Sequence, residues 1–499
     1  MNHITIKNNG SIPLPSIPEL DYDLFLASNV HDLMQKAQNH CVSYYGFHDK
    51  GKIRLICCIA DDETHSIHVS STIVIPGKSY PSFTAHNLAF EKFEREIHEN
   101  FDISYIDHPW LKPVRYPNNR ADKSKAIANY PFYCIPGEEL HEVGVGPIHA
   151  GVIEPGHFRF ICNGEQILHL EIQLGYQHRG IEQLFLTKRK LLQRETLAES
   201  IAGDTVVGHA TAFVNVWESL CGFKPERDLQ FSRTLALELE RIAIHTGDLS
   251  GMCTDIAYQL GSSVFGRLRT PIINYFQLWC GNRVSKSLIR AGKTNFPFTG
   301  ELASALTKVL DAYEPDFEEM CKELFRMPSA LSRFEKTGVV SAEDLKRIGA
   351  VGMSARMNGL HRDIRLSHPH DLYPEIAHQP IVKHHGDVYS RAQLRKEEIK
   401  QSIGYIRKLL TDRPETAPTR SELVAPQINT FGISLVEGWR GEICHCAITD
   451  EKGELRNYKI TDPSFHNWLA LALAVRNNEI SDFPISNKSF DLSYSGHDL

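Results

Sequence analysis

The sequence has no apolar stretch long enough to cross a membrane. Its longest purely aliphatic run, Leu469 to Val475, is seven residues long, whereas a membrane-spanning helix needs about 20. Residues 1–20 contain no apolar core behind a basic start, so no export signal is visible. No long basic block is present, and nucleic acid is therefore excluded as the main partner. We expect a cytoplasmic chain that reaches a membrane only through partners.

The sequence also has no C-x-x-C pair among its 11 cysteines. The adjacent Cys57 and Cys58 lie in an apolar, strand-like run, which is typical of small buried residues and not of a metal-binding loop. The composition is that of a globular protein, with 42% hydrophobic residues, 23% charged residues and a net charge of −7. A chain of 499 residues predicts two or three domains.

Residues 1–115 read as a small α/β domain, and residues 116–142 have the composition of a linker. Two β-rich runs, Ile53 to Ala60 and Ser66 to Ile75, precede an amphipathic helix predicted from about Thr84 to Glu99. The Pro, Asn, Lys and Arg residues that follow Pro109 are typical of a connecting segment.

Residues 143–499 form the larger predicted domain. Strands and tight turns are expected from Val143 to about Ile172, and long helices dominate beyond Thr187. One helix is predicted from Arg227 to Thr246, where Gly247 stands at the expected stop. The segment Glu442 to Ile460 returns to β character. The predicted fold class is therefore α+β, with a small α/β domain before a helix-rich body that carries peripheral hairpins.

Three clusters carry groups able to do chemistry. The first is a Gly-Pro hairpin that presents His149, although a plain turn with a solvated histidine fits equally well. The second, Gly175 to Glu182, packs Tyr176, His178, Arg179 and Glu182 beside two glycines; it could transfer protons or form a structural ion-pair corner. In the third, Glu437 to Glu442, an arginine between glycines and carboxylates could equally be a salt bridge.

Taken together, these clusters resemble one family. The run Gly146 to Phe160, the Tyr176 to Glu182 group, the segment Gly386 to Arg391 and the Glu437 to Glu442 group are similar to the large subunits of group 4 [NiFe] hydrogenases and to the 49 kDa subunit of complex I. Further matches in the same order are Arg356, Gly359, Asp363, Arg365 and Asp462 to Asn467. The first domain resembles the 30 kDa subunit of complex I, fused in front. The resemblance implies a hydrogenase large-subunit fold for residues 143–499.

The chain departs from the hydrogenases at the four cysteines that hold nickel and iron. The family pattern L-A-E-R-V-C-G-I-C falls on Leu197 to Thr205, so that the first two cysteines are replaced by Ala202 and Thr205. The second pair is replaced by Ser493 and Gly496, and the arginine before the first pair by Ser200. Methyl, hydroxyl and hydrogen are poor substitutes for thiolate at a soft-metal site. We therefore expect that this chain binds no metal.

Complex I uses the same cavity for a quinone, held between a histidine and a tyrosine. His149 matches that histidine, but the tyrosine position holds Gly203. The resemblance places His149, Tyr176, Thr205, Ser493 and His497 around the vestigial cavity. The proton-transfer candidates are His149, His178, Arg179, Glu182, Asp204 and His209. Such a group could carry protons or bind a small polar ligand, and the alternative is a collapsed relic whose polar residues only pair with one another.

The resemblance implies a peripheral-arm subunit of a membrane-bound, complex I-like or hydrogenase-related oxidoreductase that moves H⁺ or Na⁺ without a NiFe centre. The expected partners are an iron-sulfur subunit similar to the 20 kDa subunit of complex I, whose cluster delivers electrons from a donor of the NAD(P)H or ferredoxin type, and antiporter-like membrane proteins. The expected location is the cytoplasmic face of the inner membrane. Two alternatives remain open: a quinone-binding reductase subunit, and a scaffold that docks the iron-sulfur subunit without chemistry.

Overall fold

The N-terminal unit is a five-stranded sheet covered by one longer helix and by a shorter helix with its π-helical continuation. The computed structural model describes residues 2–150, 153–414, 421 and 423–499. The elements of this unit are β1 (Ile4–Ile6), β2 (Gly10–Pro13), β3 (Glu19–Leu20), α1 (Tyr22–Leu26), a π-helical segment (Ala27–Leu33), β4 (Asn39–Asp49), β5 (Lys52–Asp61), β6 (Ser66–Val74), β7 (Ser79–Pro81), α2 (Glu91–Phe101) and β8 (Ser104–Ile106). The sheet order is β1-β6-β5-β4, and β3 pairs with β6. The two predicted β-rich runs are thus β5 and β6.

Helix α2 begins later than the predicted Thr84, because Glu94 organises the preceding loop. The buried Glu94 carboxylate accepts hydrogen bonds from the amides of Phe83 (2.7 Å) and Thr84 (3.0 Å) and from the Ser82 hydroxyl (2.6 Å). These bonds hold residues 82–84 in a loop, since their amides donate to a side chain instead of to helix carbonyls.

The second sheet consists of β9 (Leu140–Val145), β10 (His157–Asn163) and β11 (Gln166–Gln173), in the order β11-β10-β9. All three strands are antiparallel to their neighbours. The strands expected between Val143 and Ile172 are therefore present. The segment predicted as a linker leads into this sheet and contains a single 3-10 turn, Ile127–Asn129, before β9 begins.

The body is built mainly from helices. They are α3 (Ile181–Thr187), α4 (Leu191–Ala198), α5 (Val206–Leu220), α6 (Arg227–Asp255), α7 (Gln259–Cys280), α8 (Gly300–Leu324), α9 (Pro328–Phe334), α10 (Ala342–Arg347), α11 (Gly352–Arg356), α12 (Ile364–Ser367), α13 (Tyr373–Ile376) and α14 (Val388–Thr411), with a two-stranded ribbon of β12 (Ile289–Arg290) and β13 (Lys293–Thr294). The prediction that a helix stops at Gly247 was wrong. Gly247 lies inside α6, where a Cβ atom would come within 3.1 Å of the Arg269 side chain, so the glycine permits a close approach of α7.

The N-terminal unit and the body share a sheet. Strands β14 (Thr430–Glu437), β15 (Glu442–Thr449) and β16 (Leu455–Thr461) are joined at the edge by β2, in the order β16-β15-β14-β2. Apolar side chains of the two sheets form one core, which includes Val69, Phe431 and Ile433. The chain ends with α15 (Pro463–Ala474), α16 (Phe483–Phe490) and α17 (Tyr494–Asp498). This common core holds the two predicted domains against each other.

The fold class is α+β, as predicted: small antiparallel sheets surround a helix-rich body. Among the helices that the structure describes, none combines the length and the apolar character that a membrane span requires.

Candidate functional site

The two segments that correspond to the cysteine pairs meet at Asp462. Gly496 lies so close to this residue that a Cβ atom on the glycine would be 2.5 Å from Asp462 Oδ2. The same oxygen is 3.0 Å from Nε2 of His209, which follows Thr205 by one turn of α5. The α4–α5 loop and the start of α17 thus converge on one buried carboxylate.

Arg179 also joins these two segments. Its guanidinium donates to the carbonyls of Ser200 (2.6 Å) and Ile201 (2.8 Å) in the α4–α5 loop and to the carbonyl of Ser495 (3.1 Å) in α17. Five donor N–H groups in a planar fork allow one arginine to bridge several carbonyls. The role of Arg179 in this geometry is therefore to fix the loop relative to the C-terminal helix.

An ion pair lies beside the positions of the first cysteine pair. Arg440 donates to both oxygens of Asp204 at 2.7 and 2.6 Å and to the Thr205 hydroxyl at 3.1 Å. Arg440 is 4% exposed and Asp204 is 37% exposed. Burial alone would lower the pKa of Arg440, but the neighbouring Asp204 carboxylate raises it, so the guanidinium stays charged.

These donors do not fit a nickel-iron centre. A soft-metal site requires thiolates, whereas the four positions present a methyl group, two hydroxyls and a glycine, with a guanidinium in contact with Thr205. Within the described ranges, no group of three or more His, Cys, Asp or Glu side chains has the arrangement of a metal site.

Four buried side chains form a continuous hydrogen-bonded chain that starts at Asp462. His209 Nε2 contacts Asp462 at 3.0 Å, and His209 Nδ1 lies 3.1 Å from His445 Nε2. His445 Nδ1 lies 2.7 Å from the Tyr458 hydroxyl. Helix α5 contributes His209, the adjacent strands β15 and β16 contribute His445 and Tyr458, and Asp462 caps α15. The arrangement links the positions that correspond to the cysteine pairs to the middle of the shared sheet.

The far end of this chain reaches a cavity of about 250 Å³ between the N-terminal unit and the body. Tyr458 lines this cavity together with His178, Glu182, Glu96 and Arg115. Two of the predicted proton-transfer residues thus lie near the Tyr458 end and one, His209, lies within the chain. We call the chain of Asp462, His209, His445 and Tyr458 the relay.

The electrostatic state of the relay follows from its burial. Burial raises the pKa of Asp462, but the hydrogen bond and charge of His209 and the charge of Arg440 outweigh it and lower the value to about 2. Burial lowers the pKa of His445 far below its usual value and raises the pKa of Tyr458. At neutral pH the relay therefore holds a carboxylate, a neutral His445 and a protonated tyrosine.

The C-terminal residues close the site from the other side. Asp498 accepts hydrogen bonds from the amides of Gly175 (2.8 Å) and Gln177 (2.9 Å), and its carbonyl lies 2.8 Å from His178 Nδ1. His497 Nδ1 is 2.8 Å from Asp498 Oδ1, and burial lowers the pKa of His497 to about 4. His178 and His497 are thus anchored to the chain end.

The candidates Glu182, Tyr176 and Ser493 each form a hydrogen bond or an ion pair with another residue of the chain. Glu182 accepts from the Ile460 amide (2.9 Å) and pairs with Lys459 (3.1 Å). The Tyr176 hydroxyl donates to Gln173 Oε1 at 2.9 Å. Ser493 caps α17 by accepting from the Gly496 amide at 2.8 Å.

His149 belongs to a different environment. Its Nε2 lies 2.8 Å from the Gly156 carbonyl of its own hairpin. Beside it, Ile148 is 91% exposed and Ile153 is 57% exposed, while the predicted hairpin's residues 151 and 152 lie outside the described residues. The hairpin contacts the site through Glu154, whose carboxylate accepts from the Tyr494 amide at 3.3 Å.

Three relay residues are not among the candidates that the sequence indicates. His445 and Tyr458 occupy ordinary alternating positions of strands, where nothing in the local pattern separates them from core residues. Asp462 lies in a matched motif, but its place before Pro463 is typical of a helix N-cap and not of a proton acceptor. Only the contact with His209 gives this carboxylate a second role.

Comparison with known proteins supports the resemblance. A family model described as the 49 kDa subunit of respiratory-chain NADH dehydrogenase matches residues 255–431. Hydrogenase-4 component G of Escherichia coli is 25% identical over 86% of this chain and 77% of its own length. The C/D component of NADH-quinone oxidoreductase from Phocaeicola vulgatus is 28% identical over 70% of this chain and 73% of its own length. The double letter in its name denotes two components in one protein, in line with the predicted fusion.

A solved structure has the same fold. A chain of the membrane-bound sulfane sulfur reductase, an archaeal respiratory membrane complex, superimposes with a TM-score of 0.68 and 20% identity over 74% of this chain and 100% of that chain. The solved structure supports the predicted fold, and the family model and the sequence relatives confirm the predicted resemblance to complex I 49 kDa and membrane-bound hydrogenase subunits. These relatives are components of multi-subunit complexes.

Proposed function

We propose that this relative of complex I and membrane-bound hydrogenase subunits is a peripheral-arm subunit of a membrane-bound oxidoreductase complex. In this proposal, it couples electron transfer from an iron-sulfur cluster of a partner subunit to translocation of H⁺ or Na⁺, without a NiFe centre. Antiporter-like membrane proteins would carry the ion, and the chain would lie on the cytoplasmic face of the inner membrane. The names of the relatives support the assembly, and the relay supports the coupling.

The relay carries the proposal because its hydrogen bonds allow one consistent direction. Ionised Asp462 can only accept, so His209 Nε2 must donate to it. When the His209 ring is neutral, its Nδ1 accepts from His445 Nε2, and His445 Nδ1 accepts from the Tyr458 hydroxyl. With both imidazoles neutral and Asp462 ionised, every proton of the relay points toward Asp462. A chain ordered in this way can pass a proton by successive short transfers.

A transfer begins when a proton reaches the Tyr458 oxygen from the cavity lined by His178 and Glu182. The hydroxyl proton moves to His445 Nδ1, the His445 Nε2 proton moves to His209 Nδ1, and the His209 Nε2 proton moves to Asp462. The result is a neutral Asp462 with no net separation of charge along the relay. Asp462 would then supply the proton to an acceptor that is reduced by the partner's cluster beside the positions of the cysteine pairs.

Loss of the carboxylate charge would also weaken the field that Asp462 exerts on Arg440, whose pKa it helps to raise. Arg440 is held by Asp204 at the half-exposed loop of the first cysteine pair. A change in its pairing would thus alter the surface presented by the α4–α5 loop. We infer that this loop transmits the redox state toward partners, because coupling requires a titratable group that responds to the redox step.

The test is ion transport driven by the electron donor in membrane vesicles that contain the assembled complex. Tyr458→Phe removes only the hydroxyl at the entry of the relay, and His445→Phe breaks its centre. We expect transport to fall at least tenfold in both variants while co-purification with the partner subunits is unchanged. His141→Gln, at an exposed position of β9, serves as the control.

Three results would contradict the proposal. Unchanged transport in Tyr458→Phe and His445→Phe would exclude the relay as the proton path. Full activity in a variant with every relay residue replaced would favour a scaffold. Nickel in stoichiometric amount in the purified complex would contradict the absence of a NiFe centre if a complex purified without this subunit contains no nickel.

A further inference from the structure

A second cavity, of about 590 Å³, lies outside the relay, between the N-terminal unit and the body. Helix α2 and residues 109–114 form one side, and β11 and α15 form the other. Its volume is in the range of sites that hold small organic ligands. None of the four relay residues lines it.

The walls of this cavity are largely apolar and aromatic. They include Trp110, Tyr130, Leu170, Trp468 and Leu469. Trp468 is 2% exposed, and its indole N–H has no hydrogen-bond acceptor among the described residues. A buried donor without a partner is costly, so the walls offer an unused hydrogen-bond donor as well as apolar surface.

The charges of the cavity are unbalanced. Its cationic side chains are Lys92, Arg95, Lys112 and Arg476, and its carboxylates are Glu91 and Glu171. Glu91 accepts from Arg95 and from the Trp110 indole. Glu171 accepts from Lys112 and from the Tyr130 hydroxyl. Both carboxylates are therefore matched, and two cations remain.

Lys92 and Arg476 are these two cations. Lys92 donates to the Phe465 carbonyl at 2.9 Å, and no carboxylate lies within ion-pairing distance of it in the described part of the chain. Burial lowers the pKa of Lys92 to about 8, and a bound anion would favour its charged form. Arg476 is exposed at the end of α15, and its charge reaches His169, another residue of the wall.

We propose that this cavity binds a small amphipathic anion, with a carboxylate or phosphate head paired with Lys92, the positive charge of Arg476 adding to its attraction, and an apolar body against Trp110, Trp468 and Leu469. The anionic head would balance the positive charges that have no carboxylate partner, and the apolar body would displace water from the apolar walls. Because both structural units line the cavity, the ligand would also bind them together. This proposal is independent of the redox role.

The experiment is a calorimetric titration of the full chain with decanoate and decyl phosphate, each below its micelle concentration, and with decanol below its solubility limit. The first two share an anionic head and differ in its source, and decanol has the same apolar body without charge. We expect at least one of the anions to saturate one site and to bind at least tenfold more tightly than decanol. The tighter anion identifies the head group.

Matched variants locate the site. Leu469→Glu places a negative charge in the cavity, and Leu469→Gln has a similar shape without the charge. We expect Leu469→Glu to weaken anion binding at least tenfold relative to Leu469→Gln. Arg476→Gln should weaken it about fivefold, and Arg283→Gln, at a position distant in sequence and outside the cavity walls, should have no effect. The circular dichroism spectrum of each variant checks its folding.

Three results would overturn the proposal: no saturable binding of either anion, equal affinity for decanol and the anions, or equal binding by the two Leu469 variants. A further result would also contradict the proposal: the isolated chain binds none of the three compounds, and the cavity is protected from solvent only in the assembled complex. A segment of a partner protein, and not a small anion, would then occupy the cavity.

Discussion

Asp498 provides a stringent test of how the site is closed. The Asp498→Ala substitution removes a fully buried carboxylate that accepts from the amides of Gly175 (2.8 Å) and Gln177 (2.9 Å) and from His497 (2.8 Å). A hydrogen bond to a charged group contributes about 1.5 to 3 kcal/mol. Since the two backbone bonds are lost together, we expect the free energy of unfolding to fall by about 3 to 5 kcal/mol.

Urea denaturation measures this loss, and hydrogen exchange of the segment around residues 173–182 gives the local readout. Asp498→Asn should lose less, because its amide oxygen still accepts one bond. Asp122→Ala is the matched control, since Asp122 also accepts a backbone hydrogen bond, from Ser124 at 3.0 Å, but at an exposed position. Equal effects of Asp498→Ala and Asp122→Ala, or unchanged exchange at Gly175 and Gln177, would refute the reasoning.

Three further substitutions test the two segments that correspond to the cysteine pairs. Burial holds the pKa of His497 at about 4, so below the unfolded value of about 6.5 the unfolded chain binds more protons. The contribution of His497 to the free energy of unfolding is therefore lost as pH falls, by about 2 kcal/mol between pH 7 and pH 5. His497→Gln should remove this part of the pH dependence, which urea unfolding at several pH values measures. The same dependence of the unfolding free energy on pH in both proteins would contradict the prediction. A Cβ atom added to Gly203 would have no neighbouring atom within 4 Å in the described part of the chain, so Gly203→Tyr should change the melting temperature little. If a quinone site lacks only this tyrosine, the substitution should also raise quinone-protectable photolabelling near His149. Gly496→Ala places a methyl group against Asp462 and should cost about 1 to 3 kcal/mol, measured by thermal unfolding, whereas a neutral effect would show that Asp462 is free to move.

The same contact bears on the positions that correspond to the metal-binding cysteines. A cysteine at position 496 would bring its Cβ against the Asp462 carboxylate, which lies 3.0 Å from His209 Nε2. We therefore expect that a cysteine fits at position 496 only if the Asp462 side chain shifts.

Local patterns were sufficient for the β-rich runs that became β5 and β6 and for the β character of the segment that became β15 and β16, because short runs of β-forming residues bounded by turn residues are a local feature of the sequence. They were insufficient at Gly247, where the expected stop was overridden by packing against Arg269. They also misplaced the start of α2, because the Glu94 carboxylate reaches back ten or more residues to hold the loop.

The sequence by itself determined the resemblance to the family, the absence of the four cysteines from the corresponding positions and the place of Arg179 in a matched motif, and it offered Asp204 and His209 as nearby titratable candidates. Only the tertiary structure decided that His209 contacts Asp462, 253 positions away, and that His445 and Tyr458 extend the contact into a relay. It also separated His149 from that relay and created the cationic cavity between the two units. Motifs record which groups are available, whereas hydrogen bonds and charge balance depend on distances of a few ångströms between segments that only folding brings together.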